Sequence, residues 1–254
     1  ARSYANADSL SPAANFAIFN VSLLTTYASA EGSFKAYING GAGKTIEASA
    51  IDVLNTYYAI SYAAVGPAGG VEISLRSGTV NIAVATNHAI AEAYLSGSGT
   101  IITTVGDLTV KTTGNARTLA EARTRSFSVS ISKIAANAVE SKLNVEQRAY
   151  FNLGDCTVDL AGDLTVQSDI VFNETDAAST ERPADKADFS NAYGYAIARV
   201  GNPVAPTDDV EFSLVGVTVS LARTFVNTSN EAYILGVSAD SSKITAAGDV
   251  IVRA

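Results

Sequence analysis

The pentapeptide Gly106-Asp107-Leu108-Thr109-Val110 returns unchanged as Gly162-Asp163-Leu164-Thr165-Val166 and nearly unchanged as Gly248-Asp249-Val250-Ile251-Val252. A degenerate copy, Ala50-Ile51-Asp52-Val53-Leu54, precedes them, so the copies end at positions 54, 110, 166 and 252, in steps of 56, 56 and 86. Few features restrict a fold as severely. A unit repeated at this interval buries its apolar face against its neighbours in sequence, which is the signature of a solenoid or array. The 54 residues before the first copy ends and the two after the last together make one more standard repeat. That phase match predicts that one end of the unit meets the other in the register that joins its internal repeats.

A second marker keeps the same step. Ala36-Tyr37-Ile38, Ala93-Tyr94-Leu95, Ala149-Tyr150-Phe151 and Ala232-Tyr233-Ile234 place tyrosines 57, 56 and 83 residues apart. The repeats therefore run 1–54, 55–110, 111–166 and 167–252.

The repeat at 111–166 shows what each unit contains. Ala116, Thr118, Ala120, Ala122 and Thr124 alternate with Arg117, Leu119, Glu121, Arg123 and Arg125, and Phe127, Val129 and Ile131 alternate with serines. A period of two marks half-buried strands. Asn137 and Asn152-Leu153-Gly154-Asp155 read as turns, with Thr157–Leu160 and the marker strand completing the unit. About six short strands per repeat leave no room for a helix. Abundant Ala, Val, Thr and Ser, without Met or Trp, point the same way.

The chain is therefore expected to be all-β: a parallel β-solenoid, one continuous domain of four tandem repeats. With typical coils shorter than 56 residues, two coils of about 28 are expected per repeat, giving a rod about 38 Å long at the usual strand spacing. In that arrangement the tyrosines lie about 9–10 Å apart. The fourth repeat carries the extra length. Matching Asn191–Gly201 to Asn55–Gly66 puts the addition at about 172–190, where Glu174, Asp176, Glu181, Asp185 and Asp188 make a polar insert expected to project as a surface for recognition.

Charge and composition exclude several classes. A net charge of -8 with no basic stripe argues against nucleic-acid binding. No apolar run approaches the 18 or more residues of a membrane span. The sequence starts at Ala1 without an initiator Met, as expected after signal removal or within a longer chain. A lone Cys156 cannot form an internal disulfide and reads as a small buried strand residue. His88, the single histidine, reads as an exposed turn residue with no acid–base partner.

Runs such as Ala161-Gly162-Asp163-Leu164-Thr165-Val166, the Ala/polar alternation and the recurrent Ala-Tyr-Ile/Leu/Phe resemble the repeats of giant secreted bacterial adhesins of the filamentous-haemagglutinin and leukotoxin-like type. The resemblance covers essentially the whole chain and implies a bacterial, extracellular, cell-surface solenoid.

Two function classes follow. The favoured one is a structural or adhesive unit of a filament built from copies stacked head to tail, or from flanking repeats of one giant chain, meeting surface glycans or cells. Its assembly edges are Ala1, Arg2, Ser3, Tyr4 and Ala5 at one end and Val250, Ile251, Val252, Arg253 and Ala254 at the other. Open strand edges invite pairing. The alternative is a carbohydrate-active β-helix enzyme or glycan-binding module, for which Arg117, Arg123 and Arg125 with Glu121 are the sole charged cluster. No catalytic residue and no cofactor are expected. Asp107, Asp163 and Asp249 form a row that either binds Ca²⁺ or caps turns, and one carboxylate per repeat favours capping.

Overall fold

The computed structural model describes residues 2–11, 15–41, 43–67, 71–98, 100–124, 127–170, 193–200, 211–236 and 242–254. All regular structure among them is β, and every strand pairing is parallel. The chain is a parallel β-solenoid with three walls.

The first wall, sheet A, stacks β1 (Arg2–Ser11), β4 (Ile51–Pro67), β7 (Leu108–Thr124), β10 (Leu164–Ile170) and β14 (Val250–Arg253). Strand β11 (Tyr193–Val200) pairs with the second half of β7, continuing the row that β10 begins. Sheet B is the long wall, formed by β2 (Asn15–Gly40), β5 (Val71–Gly97), β8 (Phe127–Gly154) and β12 (Glu211–Gly236). Sheet C is a narrow side made of four-residue strands: β3 (Thr45–Ala48), β6 (Ile101–Thr104), β9 (Thr157–Leu160) and β13 (Lys243–Ala246).

The register corrects the expected coil count. Tyr37 pairs with Tyr94, Tyr94 with Tyr150 and Tyr150 with Tyr233, so neighbouring rungs lie one whole repeat apart. Each repeat is therefore one coil rather than two. The 27 residues of β5 span about 90 Å of extended chain, and four rows per chain advance only about 19 Å along the axis, half the expected 38 Å. The register also moves the degenerate copy by one residue. Val53, not Leu54, pairs with Val110, and Ser49-Ala50 occupies the Gly106-Asp107 position.

In the long repeat the described strands break off at Ile170 and resume at Tyr193. Ile170 pairs with Gly114 and Tyr193 with Arg117, so 22 residues of sequence separate the first pair from the second on this coil against two on β7, and further extra sequence falls between Val200 and Glu211 and between Gly236 and Lys243. The match of Asn191–Gly201 to Asn55–Gly66 is three residues out of register, because Tyr193 shares a row position with Ile60 rather than Tyr57. Glu174, Asp176, Glu181, Asp185 and Asp188 lie outside the described residues.

Two kinds of core result from these walls. Where all three sheets meet, large apolar side chains fill the interior: Leu95, Phe151, Ile102, Val158, Leu108, Val110, Leu164 and Val166, with Cys156. Further along, sheets A and B face each other directly, and the inward positions become small: Ala63, Ala120 and Ala122 against Ala28, Ala83 and Ala85. Small residues let the two sheets approach, and polar side chains then bridge them. Asn55 Nδ2 donates to the carbonyls of Phe34 (2.8 Å) and Glu92 (3.0 Å), Ser61 Oγ to Ala28 O (2.8 Å), and Asn87 Nδ2 to Ala59 O (2.6 Å) and Arg117 O (3.2 Å). Burying a polar group without such a partner costs about 1–3 kcal/mol, so these bonds fix the spacing of the walls.

Candidate functional site

The chemistry of this chain is arranged in ladders, because identical positions of successive coils stand side by side. The Gly-Asp ladder explains the first motif. Asp107 Oδ1 accepts the backbone N–H of Asp163 (2.9 Å), and Asp163 Oδ1 accepts that of Asp249 (2.7 Å). Each aspartate thus caps the turn of the coil above it. A Cβ at Gly162 would run into Asp107 Oδ1, and one at Gly248 into Asp163 Oδ1. Glycine is required there because the lower coil's carboxylate passes through the space that a side chain would fill. The aspartates cap the backbone of the neighbouring coil rather than that of their own turn, the form of capping that the sequence predicts. Among the described residues there is no group of three or more His, Cys, Asp or Glu suited to a metal.

The tyrosine ladder stands on the outer face of sheet B. Tyr37, Tyr94, Tyr150 and Tyr233 stack with ring centroids 5.1, 5.0 and 5.2 Å apart and planes within 11°. The 9–10 Å spacing expected from two coils per repeat is thereby corrected to direct stacking. Burial among these rings holds the Tyr150 and Tyr233 hydroxyls above the ordinary tyrosine pKa.

Two residues before each tyrosine runs a charge ladder that the sequence reading did not identify. Lys35, Glu92, Arg148 and Glu231 occupy one row. Lys35 Nζ lies 2.8 Å from Glu92, and Arg148 reaches both Glu92 (3.8 Å) and Glu231 (3.3 Å). The hydrogen bond that Lys35 donates to the Glu92 carboxylate raises the Lys35 pKa. The residue immediately before each Ala-Tyr motif carries this alternation of sign in the sequence itself.

Strands β1 to β3 bound one end of the stack; β11, β12, β13 and β14 bound the other. Ser3 Oγ donates to Glu31 O (3.2 Å), and Ala5 packs half-buried against the alanine-lined core. Arg2 and Tyr4 contribute backbone pairing to Tyr58 and Ile60; Ala1 lies outside the described residues. Val250, Ile251 and Val252 are roughly half exposed, Arg253 closes β14 beside Gln167, and Ala254 follows it. Strand β14 covers row positions equivalent to Ile51–Leu54 and β1 those equivalent to Tyr58–Pro67, so the two occupy complementary parts of a sheet-A strand.

Other expectations are revised. His88 is exposed, as anticipated, but in the middle of β5 rather than in a turn. Cys156 is buried, but in the turn between β8 and β9 rather than in a strand, against the space beside Gly97. The arginine cluster does not form a solvated strand face at its first member: Arg117 is buried, as is Leu119 on the same face. Arg125 and the side chains of Glu121 and Arg123 lie outside the described part. A groove of about 800 Å³ opens near the start of sheet B, lined by Phe16, Ile18, Ile73, Leu75, Val129 and Leu214 among others. Among its described lining residues Ser74 and Ser130 are polar and none carries a charge.

No protein-family model matches the chain, and no curated protein and no solved structure is significantly similar to it. Among the described residues no helix is long and apolar enough to cross a membrane.

Proposed function

We propose that this chain is a structural unit of an extended β-solenoid fibre, in which further copies of the chain stack on both of its ends. The observation that carries this reading is the pair of open ends. Among the described residues no helix or loop covers the end strands, whose side chains are mostly exposed in β12 and in the first half of β2. Uncovered parallel edges template further strands, and solenoids that stay solitary carry caps. A head-to-tail contact of this kind does not close on itself and generates a filament.

The end layers support the same reading. Ala36, Ile38, Ile46 and Ala48 line the first coil, and Ala232, Ile234, Ile244 and Ala246 line the last, each only partly buried against the core. These are the same residue types at equivalent positions, so a coil added at either end meets a matching layer. The resemblance to giant secreted adhesin repeats adds an extracellular, cell-surface setting, with glycans or cells as the partners of the fibre wall. Catalysis has no part in this reading, since the charged rows are used in ladders and turn caps. Sedimentation velocity and negative-stain microscopy of the purified chain test it. Concentration-dependent growth into rods with an axial step of about 19 Å per copy is expected; a monomer at all concentrations, with unprotected edge amides, overturns it.

A further inference from the structure

We infer that the charge ladder and the tyrosine ladder beside it form the key by which a second copy of this chain docks in the same orientation, its Lys35 against Glu231. The inference rests on the fibre reading and specifies the partner, polarity and register of the contact.

The sign alternates along the row: Lys35, Glu92, Arg148, Glu231. Each inner rung is paired on both sides, whereas among the described residues Lys35 meets a carboxylate only on its Glu92 side and Glu231 meets a cation only on its Arg148 side. Four alternating rungs leave opposite charges at opposite ends. A copy stacked in the same direction places Lys35 one strand spacing, about 4.8 Å, from Glu231 and continues the alternation. End-to-end contacts of reversed polarity bring Glu231 to Glu231 or Lys35 to Lys35, and like charges directly opposite are destabilising. The aromatic row follows the same rule, since Tyr37 stacks on Tyr233 at the 5.0 to 5.2 Å spacing already used within the chain.

One position resists the match. Ser49 stands where the upper coils have Gly162 and Gly248, so its Cβ occupies the path by which Asp249 of the copy below would reach the Ala50 N–H. The junction therefore lacks the Gly-Asp cap, and Ser49→Gly is expected to tighten association.

The test combines affinity with geometry. Lys35→Gln and Glu231→Gln are each expected to weaken association about 2–5-fold, the range of an exposed ion pair, with the double variant no weaker than either single one. Melting curves check that each variant is folded. Ser33 and Ser229 occupy one outward row. In the stack their Cα atoms lie about 4.8 Å apart, within the roughly 4.4–6.8 Å that a disulfide spans. Mixing Ser33→Cys with Ser229→Cys should yield a cross-linked heterodimer under oxidation, while neither variant alone cross-links, Cys156 being buried. A wild-type chain that never associates removes the fibre reading and this key together. Association that persists unchanged in both Gln variants, or homotypic cross-links alone, overturns the key and leaves the fibre reading standing.

Discussion

Tyr57→Phe should leave the fold intact, raise its stability at neutral pH and remove an alkaline weakness. Tyr57 is fully buried in sheet A, its ring stacked on Phe34 with centroids 5.2 Å apart, and its hydroxyl has no hydrogen-bond partner among the described residues. A buried hydroxyl without a partner costs about 1–3 kcal/mol relative to water. Phenylalanine keeps the ring and its stacking while deleting that cost, so a gain of about 1 kcal/mol or more is expected. Burial alone drives the Tyr57 pKa far above the ordinary tyrosine value. The sign follows from proton counting. Above about pH 10 the unfolded tyrosine releases its proton and the folded one does not, so the unfolded state binds fewer protons and stability falls as pH rises. The slope is about 1.4 kcal/mol per pH unit for one group, beginning near pH 10 and continuing until the folded hydroxyl also ionises. Urea denaturation of wild type and variant from pH 7 to 11.5 reads the difference directly, other titrating groups being common to both. Destabilisation by more than about 1 kcal/mol at neutral pH would refute the reasoning by showing that the hydroxyl is bonded, and parallel alkaline slopes would refute it by showing that the hydroxyl is not desolvated.

Four further substitutions, one of them an exposed control, probe the other parts of the structure. Phe151→Ala, at a site with no exposure in the three-walled core, should cost about 3–5 kcal/mol in urea denaturation, against about 0.5 kcal/mol or less for Leu54→Ala on the exposed face of sheet A. Asn87→Ala leaves two buried carbonyls, of Ala59 and Arg117, without their donor and should cost about 2–3 kcal/mol, with faster amide exchange in the neighbouring rows. Gly162→Ala should displace the Asp107 carboxylate and press on the Gly106 backbone, costing about 1–3 kcal/mol; a neutral result by thermal melting would contradict the capping geometry.

The repeat period, the parallel stacking and the all-β class were readable in the sequence, because identical residues at a fixed interval stack side by side only in a solenoid. Thr157–Leu160 was legible too, since alternation marks it as a strand, whereas of the turn expected at Asn152–Asp155 only Asp155 lies outside β8. The number of coils was not. Asn137 reads locally as a turn, yet it lies buried inside β8, where its Oδ1 accepts a hydrogen bond from Asn81 Nδ2 (2.9 Å) in the next coil. Gly114 likewise sits within β7, where a Cβ would strike Tyr57 and Gln147. Asparagine and glycine break strands only when nothing else uses them. Here two facing sheets press together, and the same residues supply cross-coil bonds and clearance. That use exists only once both walls are in place, which is why tertiary structure alone decided that each repeat closes one wide coil and that Lys35, Glu92, Arg148 and Glu231 stand in a single row.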